Sequence, residues 1–198
     1  MKFLRANELT FDTRGQLSRV FVEGFYEWLR HFSKDKDVLI EVFTHIFLPE
    51  YFFVAIGEND KVAAMAACTQ GHSPINLQRK EFVRVLGFIR GNFAYLMLKR
   101  HIVRNAYPFS ISKNTGTIEF VTTAEEFRHQ RIGFNLLSFI FEQSPYDSYI
   151  LEVADTNKNA VSLYEKLGFK EMKRIKAAKR SDVNFFVYMR KNLSDRDA

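Results

Sequence analysis

The sequence predicts a mixed α/β fold: a central sheet of about six to seven strands, flanking helices, and a helical insertion between the third and fourth strands. Three observations predict it. β-rich runs gather early, on both sides of Gly57. From Gly116 onward, strand and helix patterns alternate. Between them, the block from His72 to Thr115 carries apolar residues at helical spacing.

KFLRAN, from Lys2, reads as a short first strand. In QLSRVFVEGFYEWLRHF, Gln16 to Phe32, the apolar residues Leu17, Val20, Phe21, Phe25, Trp28 and Leu29 follow helical spacing and predict an amphipathic helix. VLIEVFTHIFL predicts a second helix, stopped by Pro49. YFFVAIGENDKVAAMAACTQG reads as a hairpin of two β-rich runs around Gly57, Glu58, Asn59 and Asp60. In the block 72–115, Phe82, Val85, Leu86, Ile89, Phe93, Leu96 and Met97 step by three and four, and Gly91-Asn92 is the expected break between two helices. GTIEFVTT, 116–123, is a strand by its β-branched and aromatic content. There follow a helix from Arg131 to Gln143, the strand SYILEVA, a helix from about Asn157 to Leu167, and two strands ending in NFFVYMRKNL. This alternation implies parallel neighbours in the second half. The block 72–115 is too short for its own core, so residues 1–198 are expected to form one domain.

With 46% hydrophobic and 26% charged residues, the chain has the composition of an ordinary soluble globular protein. Its one cysteine, Cys68, cannot form an internal disulfide and sits in the apolar run VAAMAACT, as a small buried hydrophobe does. Arg5, Glu8, Asp12 and Arg14 interrupt the first apolar residues as no signal-peptide core would, and no uncharged run approaches a membrane span, so a cytoplasmic location is expected. His31, His45, His72, His101 and His129 are scattered without metal-ligand spacing, and no metal is expected. The net charge of +6 is unevenly placed: seven basic residues between Asn76 and Arg104 face Glu81 alone. A smaller basic run, KEMKRIKAAKR, lies at Lys170 to Arg180. Such patches attract nucleic acid, acidic lipid or anionic ligands.

Two stretches carry chemistry. In IEFVTTAEEFRHQRIGFNLLSFI, a strand runs through a turn into a helix whose apolar face is Ile132, Leu136, Leu137 and Ile140. A helix start leaves N–H groups unpaired at the positive end of the dipole, and Arg128, His129, Gln130 and Arg131 add donors beside Gly133. By itself this reads as a pyrophosphate site or as a plain packing turn. In VADTNKNAVSLYEKLGF, Tyr164 shares one stripe with Ala160, Leu163 and Leu167, the spacing of a core residue.

RHQRIG after a strand, followed by NKNAVSLYEKLGF, resembles the GNAT N-acetyltransferase superfamily, whose acyl-CoA loop has the form Q/R-x-x-G-x-G/A. Asn157, Ala160, Leu163, Tyr164, Glu165, Lys166, Leu167, Gly168 and Phe169 match the family's later helix, and VYMRKNL is similar to its last strand. The likeness is strong from Gly116 to Leu193, weaker before Gln70, and absent from the insertion. One departure is Arg131, which stands where the family has its first loop glycine. Ordinary dihedrals there would leave its N–H able to donate, and its guanidinium able to pair with phosphate.

The resemblance implies a GNAT-like fold and transfer of an acetyl group from acetyl-CoA, a co-substrate, to an unidentified primary amine by direct attack. It implies cofactor contacts from Val121, Thr122 and Thr123, from Arg128 to Phe134 (His129, Gln130, Arg131, Ile132 and Gly133 between), and from Asn157, which is also a plain N-cap candidate. Tyr164 would protonate the leaving thiolate. Glu152 or Glu119 would take the amine's proton, although either is also an ordinary outward-facing strand residue. The insertion is expected to overhang the acceptor end. Glu23, Glu27, Asp35 and Asp37 are either carboxylates for a cationic acceptor or surface charge. Two alternatives remain: a non-catalytic acyl-CoA-binding or regulatory domain, and a binder of nucleic acid or anionic surfaces through residues 76–104. Nucleic acid is the less expected partner, since no RNA-reading motif is present.

Overall fold

The computed structural model describes residues 1–100, 107–177 and 183–193. Arg104 and the end of the basic run, 178–180, lie outside them. Seven strands form one sheet in the order β1-β2-β3-β4-β5-β7-β6. They are β1 (Lys2–Arg5), β2 (Phe52–Ile56), β3 (Val62–Thr69), β4 (Thr115–Thr123), β5 (Ser148–Ala154), β6 (Lys170–Lys176) and β7 (Phe185–Asn192). Among the described residues, six α-helices accompany them: α1 (Arg14–Leu29), α2 (Lys36–Thr44), α3 (Arg79–Leu86), α4 (Phe88–Leu98), α5 (Ile132–Gln143) and α6 (Lys158–Lys166). Parallel pairing is confined to β4 with β5. The last two strands pair antiparallel with each other, and β7 pairs antiparallel with β5. The second half is therefore less parallel than its alternation implied, because β6 and β7 form a hairpin that re-enters beside β5.

β3 is buried along all of its length, which its alanines permit by letting helices approach both faces. One core lies between the sheet and α1–α4, with Phe21, Phe43, Phe47, Phe52 and Phe82 buried in it. The other, under α5 and α6, gathers Leu136, Leu137, Ile140, Tyr149 and Leu151. β6 is a charged edge, and its exposed lysines and arginine discourage pairing with another sheet.

Two helix boundaries differ from the sequence reading. α2 ends at Thr44, before Pro49, and Pro49 instead starts a short 3-10 turn into β2. The insertion breaks at Gly87, with φ 77°, and not at Gly91-Asn92. Gly91 lies inside α4, pressed so closely on the Phe82–Val83 backbone of α3 that a Cβ would overlap it. The glycine that looked like a breaker is a helix-contact residue, and only the positive φ distinguishes Gly87.

Candidate active site

The site begins where two strands part. β4 and β5 pair from Thr115–Ser148 to Ile118–Leu151 and no further. On its other edge, β4 pairs Glu119 with Ala67 and Thr122 with Met65, one residue more than β3 spends over the same interval. The surplus is a bulge, with Phe120 held at φ 54°. The Phe120 ring packs at 5.9 Å from Phe21 and 6.0 Å from Phe52, so core burial keeps a bulky residue in a conformation it disfavours. The bulge turns Val121, Thr122 and Thr123 away from β5 and into a cavity of about 920 Å³.

The loop before α5 lines that cavity with Arg128, His129 and Arg131, and the first turn of α5 lines it with Ile132, Gly133 and Phe134. Arg131 does not have ordinary dihedrals: it lies at φ 58°, ψ 16°, and His129 at φ 63°. The loop thus takes the left-handed shape a glycine would give, at a cost of about 1–2 kcal/mol for each such residue. The strain starts α5 at Ile132, so the first-turn N–H groups, which no preceding helical carbonyl can reach, belong to cavity-lining residues. Gln130 is not among them; its side-chain amide donates to the Glu126 carbonyl at 3.4 Å.

α6 closes the far wall. Asn157 Oδ1 accepts from Ala160 N–H at 3.2 Å, so Asn157 is the helix N-cap, and it also lines the cavity. At the other end, Gly168 at φ 87° stops the helix, and the Phe169 N–H returns to the Tyr164 carbonyl at 3.0 Å. Half of the YEKLGF motif is therefore a helix stop that fixes Tyr164. The Tyr164 ring is buried against Phe169, and its side chain still reaches the cavity. Burial raises its pKa well above that of an ordinary phenol. Among the described residues, Arg128, Arg131 and Lys166 line the cavity, and no aspartate or glutamate does.

The carboxylates lie beyond the parting. Ile118 pairs with Leu151, Glu152 with Tyr188, and Tyr188 with Lys173. Glu119, Glu152, Tyr188 and Lys173 therefore form a row across β4, β5, β7 and β6. Ile118, Leu151, Val187 and Met189 belong to the α5–α6 core, so alternation turns the row toward the α1–α4 side. Over it runs the return of the insertion. The Tyr107 ring lies 6.0 Å and the Phe109 ring 5.5 Å from Tyr188, and Lys173 Nζ donates to the Pro108 carbonyl at 3.3 Å.

Burial first, and then the neighbouring Glu152 carboxylate, push Glu119 up to about 7. Burial likewise raises Tyr188, whose hydroxyl donates to Glu152. Tyr107 is raised by burial and then by the charges of Glu119 and Glu152, which places it within their field. Cys68, buried elsewhere, is pushed to about 11 by burial, as an unreactive thiol is.

The structure thus brings together Val121–Thr123, Arg128, His129, Arg131–Phe134, Asn157 and Tyr164 in the cavity, and it sets Glu119 and Glu152 on adjacent strands beside it. Three of the helix carboxylates do structural work. Asp35 caps α2, Glu27 pairs with Arg30, and Glu23 accepts from the Glu125 N–H. Sequence reading missed Gly24 and Phe25 of α1, Lys166, Tyr107 and Tyr188. Gly24 is pressed against the Thr122 side chain so closely that a Cβ would overlap Oγ1. Tyr188 was within reach, because inward Val187 and Met189 leave it on the other face; Tyr107 stands in a stretch without pattern.

Residues 17–169 match the Acetyltransferase (GNAT) family. Among curated proteins, N-alpha-acetyltransferase 30 of Dictyostelium discoideum is 38% identical over 63 residues, 30% of this chain and 34% of that protein. This chain therefore aligns with only about a third of that relative. Among solved structures, an N-acetyltransferase from Staphylococcus aureus Mu50 superposes with a TM-score of 0.61 at 16% identity, over 96% of this chain and all of the other. The NatC complex bound to Gag peptide and CoA gives a TM-score of 0.55 at 12% identity, over 97% and 98% of the two chains. The splayed sheet with a helix start in the opening is the fold these structures share with this chain. The chain belongs to the GNAT acetyltransferase family.

Proposed function

We propose that this enzyme transfers an acetyl group from acetyl-CoA to a primary amine by direct attack, and that the favoured acceptor is an α-amino group. The polarity of the opening carries the reading: a wall of cations and helix-start amides on one side of the β4–β5 parting, and the neighbouring carboxylates Glu119 and Glu152 on the other.

Acetyl-CoA suits the first side by its chemistry. Its pyrophosphate matches the first-turn amides of Ile132, Gly133 and Phe134, supplemented by Arg128 and Arg131. Its pantetheine arm matches the strand Val121–Thr123, whose edge toward β5 is free of strand pairing. When bound it supplies a thioester carbonyl, and every other role falls to this chain.

Glu119 serves as the base. A carboxylate held near 7 is ionised in a large share of molecules at neutral pH and still binds a proton usefully. An α-amino group, at about 7.7–8.0, gives its proton to such a base far more readily than a lysine at about 10.4. The name of the Dictyostelium relative supports the same preference. Glu152, exposed and hydrogen-bonded to Tyr188, keeps Glu119 high and draws the cationic amine toward the row. Tyr164 holds its proton at every physiological pH and offers it to the departing sulfur. The two match because a thiol basicity rises in the same dry surroundings, as that of Cys68 does.

Calorimetric titration with acetyl-CoA, followed by rate–pH profiles on a panel of amino-acid, peptide and lysine amines, tests the reading. Binding retained in Tyr164→Phe and weakened in Arg131→Glu, with a rate that rises through pH about 7 only when Glu119 is present, supports it. Acetyl-CoA binding without transfer to any amine would leave a non-catalytic acyl-CoA domain.

A further inference from the structure

The outward face of α4 has no role in the site. Its sequence, FIRGNFAYLML, is apolar apart from Arg90 and Asn92, and Asn92 is engaged by Arg79 and the Phe88 carbonyl. Only one side is buried. Gly91, Ala94 and Leu98 pack against the rest of the insertion, while Phe88, Ile89, Phe93 and Leu96 are 71%, 82%, 59% and 62% exposed. At about 100° per residue, these four fall within one arc of roughly 140°. Lys99 and Arg100 continue the same arc past the helix end, and Arg90 stands at its edge. Large apolar groups clustered on a surface mark a contact site.

Charge decides among occupants. No Asp or Glu occurs between Glu81 and Glu119, and Glu81 is taken up by Arg84. A second copy docking by the same face would set Arg90, Lys99 and Arg100 against their own counterparts with no carboxylate between them. Nucleic acid would answer the charge but leave Ile89 and Leu96 without apolar partners. An anionic bilayer surface answers both, since acyl chains receive the apolar arc and headgroup phosphates meet the cations.

We propose that α4 docks the enzyme on anionic lipid surfaces, with Phe88, Ile89, Phe93 and Leu96 entering the headgroup boundary and Arg90, Lys99 and Arg100 at the phosphates. The experiment is co-sedimentation of the full chain with vesicles of phosphatidylcholine alone and of phosphatidylcholine with phosphatidylglycerol, at low and high salt. Binding should require phosphatidylglycerol and weaken with salt. It should disappear in the double variant Ile89→Glu, Phe93→Glu, and fall about fivefold in Arg90→Gln. Circular dichroism and acetyl transfer to a soluble amine, unchanged in these variants, show that the fold persists. Absence of binding to the anionic vesicles, or equal binding to the neutral ones, overturns the proposal. So does a wild-type dimer in sedimentation velocity that the double variant dissociates, since that assigns the face to a second copy.

Discussion

The two sides of the β4–β5 parting are built by opposite means. On the α5–α6 side the groups are backbone amides and cations, held by a strained loop whose shape is local: Arg131 and His129 are left-handed, and α5 begins at once. On the α1–α4 side the groups are side chains from four strands and the return of the insertion, brought together only by sheet pairing. The first side suits an anion and can be written in one stretch of sequence. The second suits a cation and needs long-range register. The cationic side thus depends on backbone conformation, and the raised basicity of Glu119 on desolvation.

The sharpest way to separate the two sides is to remove the chemistry and leave the binding. Tyr164→Phe or Glu119→Gln should each lower kcat by about 10²–10⁴ while changing acetyl-CoA affinity less than about twofold, a difference readable by pairing steady-state kinetics with calorimetry. A comparable loss of affinity in Glu119→Gln would mean that the two sides are not separate. Next in size, Arg131→Glu should weaken acetyl-CoA by roughly tenfold to a hundredfold, through loss of a charged donor and repulsion of phosphate. Its KM for the amine should not move.

Tyr107→Ala probes the other side, raising the amine KM by about tenfold and leaving acetyl-CoA binding intact. An unchanged amine KM would detach the insertion from the acceptor site. Glu119 also makes a stability prediction. The folded state holds its proton up to about 7, whereas the unfolded chain releases it near 4.5. Between those values the folded state binds more protons, so this residue's contribution to stability falls as pH rises. Glu119→Gln should therefore raise Tm at pH 8 and lose that gain as the buffer approaches pH 4.5. The smallest effect belongs to Arg131→Gly. Relief of the left-handed residue is worth about 1–2 kcal/mol, and the freer unfolded chain takes back about 0.4–1 kcal/mol. Chemical denaturation should show a net gain between about 0 and about 1.6 kcal/mol.

Much of this arrangement was legible before any coordinates. Residue pattern placed β5, α5 and α6 within a residue or two: β5 by its β-rich run, α5 by its apolar stripe, and α6 by Asn157 at its start and Gly168 at its end. Ile132, Leu136, Leu137 and Ile140 are all buried, as their spacing predicted. Gly91 was misread as the break and Gly87 passed over, because a glycine's residue type is the same whether it breaks a helix or lets two helices touch.

By itself, the sequence determined the order of the elements, the extra helical block, and the turn-to-helix segments that line the cavity. Those depend on spacing, caps and charges along one stretch of chain. The tertiary structure alone decided the bulge at Phe120, the left-handed Arg131, and the row that sets Glu119 beside Glu152 under Tyr107. Each of these is imposed from a distance: aromatic packing against Phe21 and Phe52 holds the bulge, strand register builds the row, and burial among groups far apart in the chain raises Glu119. A local pattern records what a segment prefers, and desolvation and register are properties of what surrounds it.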